Sequence, residues 1–301
     1  MSKVDLHVHT TASDGQHTPA EVVRLAAAQG LGAVGITDHD TVAGLPEALA
    51  AAAQVRAIEV VPGVEMSTET WRGEVHVLGY YVDWEDAGLL ELLDRLRNAR
   101  RIRAQQMVER LAGLGIHVPW QHVADLAGDG ACGRPHIARA MVELGYVPST
   151  ADAFAQYIGY NGPAYVARYK LTPAEAVRAI LAASGVPVLA HPWGLEDLEG
   201  LVTDLVAVGL AGIEAYYRGY TPSATHELVG LARKYGLIVT GGSDFHGTSA
   251  PAEVGLGGVD VPGWTVEELR RARVRKSGSR RDLATLTASG RSDPHARLRP
   301  H

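Results

Sequence analysis

The sequence predicts an α/β fold interrupted by a helical insertion, and three observations carry that expectation. Short apolar runs alternate with amphipathic helices toward both ends of the chain. One helix-start signal, Thr18-Pro19-Ala20-Glu21, returns as Thr172-Pro173-Ala174-Glu175. Between them, residues 98–170 carry helical patterns and no convincing strand. A chain of 301 residues is long enough for one large domain, or for one domain carrying an insertion.

Taken in order, Val4 to His7 reads as a strand. Thr18 then offers an N-cap hydroxyl, Pro19 suits the first helical position, and Glu21 closes a capping box. This helix ends near Gly30, and Ala33 to Thr37 reads as the next strand. Further apolar runs lie at Ile58–Val64, Val75–Tyr81, Val186–Ala190, Gly212–Tyr216 and Leu237–Gly241. The second capping box is followed by Val177 and Arg178, matching Val23 and Arg24 after the first. Both helices run into a glycine and a short strand, and both strands end near a histidine, His39 and His191. Repeated helix–strand units fit a barrel or an open parallel sheet. Leu89 to Leu114 is a long helical pattern leading into the insertion. After about residue 277 the chain is rich in Ser, Gly, Arg and Pro, which predicts a mobile, solvated tail. The expected division is therefore an α/β body in two parts, 1–97 and 171–276, an insertion at 98–170 and a basic tail at 277–301.

Composition narrows the function. Apolar residues make up 46% and charged residues 21%, with mean hydropathy −0.02, an ordinary soluble balance. No run approaches the roughly 18 apolar residues of a membrane span, and the N-terminus shows no signal-peptide core. One cysteine, Cys132, excludes an intrachain disulfide and a cysteine zinc cluster. A cytoplasmic enzyme is the expectation. The net charge is −6, but from Arg270 onward ten Lys/Arg face two Asp/Glu, leaving eighteen against thirty-two for the body. An acidic body argues against a broad nucleic-acid-binding surface, so an anionic substrate needs metals or a local basic patch.

Thirteen histidines are many for this length, and several fall where chemistry is done. His7 and His9, two apart on a strand, project to one face and can reach one ion. Asp244 and His246 repeat that geometry after the Leu237–Gly241 run, and Asp14 follows the first strand. His39 closes the second strand, Glu65 the third, His76 lies in the fourth and His191 closes a later one. In parallel α/β folds such strand ends converge on one mouth. A lone His-x-His is more often structural than ligating. Nine such groups at successive strand ends would each need a buried partner, so a metal cluster is the better reading. A nitrogen and oxygen set without thiolate suits Mn²⁺, Fe²⁺ or Zn²⁺, and nine ligands exceed one ion, which predicts two or three. His17, His117, His122 and His226, with His295 and His301 in the tail, read as surface residues, and Trp71, Tyr216 and Tyr217 as packing residues with base stacking as the alternative.

These motifs resemble the PHP (polymerase and histidinol phosphatase) superfamily. They stand here as Asp5-Leu6-His7-Val8-His9-Thr10, Thr37-Asp38-His39-Asp40-Thr41, Pro62-Gly63-Val64-Glu65 and Gly242-Ser243-Asp244-Phe245-His246. The resemblance covers residues 1 to about 100 and 170 to about 260, with all nine metal positions filled. It implies a distorted (β/α)₇ TIM-like barrel with a trinuclear site. By that analogy His7, His9, Glu65 and Asp244 hold one ion, Glu65, His76 and His191 a second, and Asp14, His39 and His246 a third. Mn²⁺ is the expected metal.

The insertion narrows the match. Gly133-Arg134-Pro135-His136-Ile137-Ala138 and Gly162-Pro163-Ala164-Tyr165-Val166 resemble stand-alone phosphoesterases with a helical insertion rather than the polymerase-attached form. Arg97/Arg101 and Arg100/Arg103 each share a helix face. The first pair reads as solvated, whereas Arg100, Arg103 and Arg134 resemble positions that bind substrate phosphate, which a guanidinium can engage in a bidentate way. His136 is a candidate to face the site or to cap the helix starting at Pro135, and Arg168 and Lys170 rank lower. The implied activity is removal of the 3′-phosphate from nucleoside 3′,5′-bisphosphates by metal-activated hydroxide attack. Glu65 would hold the hydroxide, with Asp14 and His39 at the third ion. The alternatives are a 5′-to-3′ exoribonuclease on short 5′-phosphorylated RNA, an AMP phosphatase, or a metal-binding module without turnover. The partners are then a small nucleotide or short RNA, with no membrane, no polymerase module in this chain and no dimer signature.

Overall fold

A computed structural model describes residues 3–55, 58–128, 132–167, 171–248 and 254–273. Arg168, Lys170, the tail from 277 and its His295 and His301 lie outside the described residues. Seven strands form one sheet in sequence order: β1 (Val4–Val8), β2 (Ala33–Ile36), β3 (Glu59–Thr70), β4 (Gly73–Tyr80), β5 (Val186–Leu189), β6 (Gly212–Tyr217) and β7 (Ile238–Gly242). The β7 end meets β1 through a parallel bridge, Val8 to Phe245, with the His9 amide donating to the Phe245 carbonyl (2.9 Å). Gly242 permits this closure, because a Cβ there would lie 2.4 Å from that of His7. The sheet is thus a nearly closed barrel, and the open-sheet alternative falls away.

Helices α1 (Pro19–Ala28), α2 (Leu45–Val55) and α3 (Ala87–Gly113) follow in the first half. The insertion adds α4 (Trp120–Ala127), α5 (Arg134–Glu143) and α6 (Thr150–Ala153), which runs into a π-helical turn at Phe154–Ile158. Then come α7 (Pro173–Ala182), α8 (Leu198–Ala207) and α9 (Pro222–Tyr235). Both capping boxes form as the sequence predicts, the Glu21 and Glu175 carboxylates accepting from the Thr18 and Thr172 amides at 2.8 and 2.7 Å.

One strand departs from the expected pattern. β3 extends six residues beyond Val64 and turns through Trp71 and Arg72 directly into β4, which pairs antiparallel with both β3 and β5. The polar run from Glu65 to Thr70 hides this extension from an apolar count. The reversal is functional geometry, because it brings the early part of β4, with His76 opposite Ser67, to the mouth where the other six strands end.

Alternate strand residues pack in two directions. Ile36, Val60, Val77 and Leu189 pack outward with Val22 and Val23 of α1 and Ile180 of α7. Leu6, Val61, Leu78, Tyr80 and Val188 fill the lower interior, closed by Val266 and Leu269. The insertion has its own apolar cluster, including Met107, Leu111, Val123, Ile137, Met141 and Ile158. α3 belongs to both bodies: Leu89, Leu93 and Leu96 join the barrel core, and Met107 and Leu111 the second cluster. The division proposed at 97/98 would fall within this one helix. No helix among the described residues is long and apolar enough to cross a membrane.

Candidate metal centre

The mouth of the barrel gathers all nine predicted side chains around Glu65, which is almost fully buried on β3. Its Oε2 lies 3.3 Å from His7 Nε2, 3.2 Å from His9 Nε2 and 3.1 Å from His39 Nδ1. Its Oε1 lies 2.8 Å from His76 Nδ1 and 3.2 Å from His191 Nε2. One carboxylate therefore touches five imidazoles. Asp244 Oδ1 stands 3.1 Å from His9 Nε2 and 3.5 Å from His7 Nε2. On the other flank Asp14 faces His246 at 3.4 Å, His9 at 3.7 Å and His39 at 4.0 Å. Three groups have donor atoms within 4.8 Å of one another: His7, His9 and Glu65; His39, Glu65 and His76; and His9, Asp14, His39 and His246. His17, His117, His122 and His226 belong to none of these.

Several of these atoms face one another without making a hydrogen bond. Among the described residues, His7 Nε2, both ring nitrogens of His9, His39 Nδ1 and Glu65 Oε2 are buried without a hydrogen bond. Leaving so many polar atoms orphaned in one place is costly, and a divalent cation satisfies them together. The donor set, imidazole and carboxylate without thiolate, fits such ions. Titration behaviour expresses the same crowding. Burial opposes charge on His9 and His76, yet Asp244 and Glu65 hold His9 up at about 10 and Glu65 holds His76 at about 9. Burial pushes His39 down to about 3, with the cations of His9 and Arg100 adding to it against Glu65 and Asp14. Glu65 and Asp14 stay well below the usual carboxylate range despite burial, because His39 heads the imidazoles around each.

A ring of further carboxylates supports the ligands. Asp5 accepts from the Ser243 amide (2.9 Å) and hydroxyl (2.6 Å), tying β1 to the β7 loop. Asp38 accepts from the Thr10 amide (2.7 Å) and the Ser13 hydroxyl (2.6 Å), fixing the loop that carries Asp14. Asp40, His191 and Asp244 hold positive φ values of 51°, 28° and 53°. Non-glycine residues adopt that region only where the surroundings over-determine it, typically at functional sites.

Sequence reasoning missed Glu214 and Arg218. Glu214 is fully buried in β6, faces His7 Nδ1 at 3.1 and 3.3 Å, and accepts from the His191 amide at 2.8 Å. A carboxylate on the far nitrogen of a ligating histidine fixes its tautomer and direction. The available signal was a lone acid inside the apolar run Gly212-Ile213-Glu214-Ala215-Tyr216. Glu214→Gln is expected to weaken metal retention about 10- to 100-fold, read as metal content after dialysis against graded chelator. Wild-type retention would reduce Glu214 to a filler. Arg218 and Tyr217 donate to Asp244 Oδ2 at 2.8 and 2.7 Å, so Tyr217 is more than packing.

The insertion roofs one side of the mouth. A cavity of about 120 Å³ has Asp14, His39, Glu74 and His76 on its barrel side and Arg100, Arg103 and Arg134 on the other. Arg100 donates to Asp40 Oδ2 (2.7 Å) and to the Ser67 hydroxyl. Arg134 donates to Glu74 (3.0 Å). Arg103 is buried, with Nε donating to the Val166 carbonyl (2.6 Å), while its Nη2 has no partner. Burial, then the nearby Arg134 cation, lowers its pKa to about 10. His136 is drawn into the cap of α5, its Nδ1 accepting from the Gly133 amide at 3.1 Å, and it is not among the residues lining the cavity. Arg97 pairs with Asp94 on the solvent side (2.8 Å).

Known proteins resemble this chain in sequence and fold. The family model described as PHP domain matches residues 5–117. A 3′,5′-nucleoside bisphosphate phosphatase of Chromobacterium violaceum is 37% identical over 276 residues, covering 87% of this chain and 91% of that protein. A 5′-3′ exoribonuclease of Haemophilus influenzae is 36% identical over 249 residues, covering 81% and 90%. Among solved structures, a candidate metal-dependent phosphoesterase of Bifidobacterium adolescentis superposes with TM-score 0.81 at 33% identity, covering 88% of this chain and 94% of that one.

Proposed function

The chain belongs to the PHP family and is a phosphoester hydrolase, and on that premise we propose that it removes the 3′-phosphate of nucleoside 3′,5′-bisphosphates. One observation carries the reading: Arg103, a buried cation with an unpartnered Nη2, roofs the same cavity whose floor holds His39, His76 and Asp14. A substrate with two phosphates satisfies both halves, one on the histidine and carboxylate floor and one under the arginines. The relatives named as bisphosphate phosphatase and exoribonuclease support the two substrate classes we weigh. Short 5′-phosphorylated RNA is the second reading, because its 5′ end presents the same pair of groups.

The residues present fit two to three divalent ions, Mn²⁺ by our reading. We assign His7, His9, Glu65 and Asp244 to one, Glu65, His76 and His191 to a second, and Asp14, His39 and His246 to a third. Such ions supply a nucleophilic water at neutral pH and neutralise charge on the phosphoryl oxygens. Glu65 holds five imidazoles in one register, and Glu214 aims His7. Asp14, His39 and His76 are the cluster members that also line the cavity, so they stand within reach of a bound phosphoryl group. Arg100, Arg103 and Arg134 orient the second phosphate; His136 acts on it only through the α5 cap. The division into barrel (1–97 and 171–276), insertion (98–170) and tail (277–301) belongs to the same proposal, supported by the separate apolar cluster under the arginines. So does a cytoplasmic location, supported by the lone free cysteine.

The test is product release by the Mn²⁺-loaded protein on adenosine 3′,5′-bisphosphate, AMP, histidinol phosphate, and short RNA with and without a 5′-phosphate. The bisphosphate is expected to turn over fastest and the unphosphorylated RNA poorly. Best activity on AMP would make the arginine roof a single-phosphate site. Silence on every substrate, with metal confirmed bound, would overturn the substrate class.

A further inference from the structure

We propose that Trp193, Tyr217 and Tyr220 form a stacking ledge for the nucleoside on the 3′ side of the scissile phosphate, so that the site accepts short single-stranded oligonucleotides. The inference rests on the phosphoesterase reading above and extends it to the opposite half of the mouth.

The arginine cavity stands over the ends of β2, β3 and the reversed β4. Glu65 Oε1 touches His76 on that side at 2.8 Å and His191 on the other at 3.2 Å. Beyond His191 the roof ends and aromatic rings begin. Tyr217 packs its ring 5.2 Å from that of His191, and its hydroxyl donates to Asp244. Tyr220 follows 5.2 Å from Tyr217, and Trp193 lies 6.4 Å from Tyr220. The row thus starts in contact with the metal cluster and leads away from it.

Tyr220 rests partly against the barrel core, and two features set Trp193 at the end of the row apart from ordinary packing. Trp193 is 43% exposed although it sits only two residues past His191. It is also held: its amide donates to the Tyr220 hydroxyl at 2.8 Å, joining the loops after β5 and β6. Tyr217 and Tyr220 also line a groove walled by Pro222 and Val229. Rigid aromatic faces at a hydrolytic centre suit nucleobases, which stack without regard to sequence. The acidic body allows only a short run, one or two nucleotides past the cut.

Chemistry gives the direction. Water oxygen bonds to phosphorus, the bond from phosphorus to O3′ breaks, and O3′ takes a proton. The 5′-terminal nucleotide leaves from the arginine side with a free 3′-hydroxyl. The remaining strand keeps the phosphate on its 5′ oxygen, on the ledge side. A bisphosphate breaks the same bond but has nothing to lay on the ledge.

The test compares wild type, Trp193→Ala and Tyr220→Leu, Mn²⁺-loaded, on a 5′-phosphorylated trinucleotide and on adenosine 3′,5′-bisphosphate. Stacking of one base predicts a KM increase for the trinucleotide of about 5- to 150-fold, with the bisphosphate within about twofold of wild type. Without turnover, in chelator, wild-type fluorescence should be quenched by the trinucleotide, and Trp193→Phe should lose that quenching. Equal losses on both substrates would make the rings mere supports of Asp244, and no loss on either would remove them from the substrate path. Wild type that cleaves the bisphosphate but neither cleaves nor binds the trinucleotide would overturn the ledge and leave the phosphatase reading standing. Wild type silent on both, with metal bound, would overturn that reading, and the ledge would then fall or stand on the quenching alone.

Discussion

Glu65→Gln is expected to yield a folded protein that retains little metal and shows no measurable turnover. The substitution keeps the side-chain volume but removes the charge that five imidazoles share, at 2.8 to 3.3 Å. Loss of a single electrostatic stabiliser in an active site costs about 10²–10³ in rate. A group shared among all the neighbouring ligands is expected to exceed that, at 10³-fold or more. Metal content by elemental analysis separates lost ions from lost chemistry, and circular dichroism checks the fold. The wild-type protein is also expected to melt higher with Mn²⁺ than in chelator, since ions that bind only the native state stabilise it, whereas Glu65→Gln should show no such rise. Near-wild-type turnover at normal metal loading would sink the assignment of Glu65 as the shared ligand.

Arg103→Met separates recognition from stability in the opposite direction. The wild-type side chain is 7% exposed, has no carboxylate in ion-pair contact among the described residues, lies over the Tyr165 ring at 5.2 Å and suffers from the neighbouring Arg134 cation. A buried charge without a counter-ion opposes folding, and an apolar isostere relieves it. The variant is therefore expected to raise Tm, offset in part by the lost bond to the Val166 carbonyl (2.6 Å). Truncating a buried, charge-assisted contact typically costs about 2–5 kcal/mol of binding. The preference for adenosine 3′,5′-bisphosphate over adenosine 3′-monophosphate should fall by about 30-fold or more on that scale, with hydrolysis of the monophosphate little changed. Arg103→Lys retains charge without the planar fork and should recover only part of the preference. An unchanged preference would show that the second phosphate binds elsewhere.

The clustering of the candidate ligands was legible because each stands on or just past a short apolar run, where a buried polar group has no ordinary use. The capping boxes at Thr18 and Thr172 were legible for a local reason: their hydrogen bonds span three residues and need no tertiary context. What escaped depends on partners far along the chain. The reversal of β4 is set by the two-residue turn at Trp71 and Arg72 and by a polar strand end that no hydrophobic pattern marks. Glu214 makes sense only beside His7, 207 residues away. His136 could be narrowed to two roles but not decided, because its cap forms with Gly133 while the alternative lay across the cavity. Arg103 showed its helix face in the sequence, but its missing counter-charge is a property of the folded interior.

The helix α3 that joins barrel and insertion imposes a phase rule on the protein's length. Its first half is locked into the barrel core by Leu89, Leu93 and Leu96, and its second half carries the roof. An α-helix turns about 100° and advances about 1.5 Å per residue. One residue added between Leu96 and Arg100 would swing both arginines away from the mouth by about that angle. Two added turns, about seven residues, would restore their heading but lift them about 10 Å above the metal ligands. Neither change leaves a site that spans the phosphates of one nucleotide. On the proposed reading, the span of the substrate is counted out in helical residues, and this stretch is a ruler whose length the protein cannot drift away from one residue at a time.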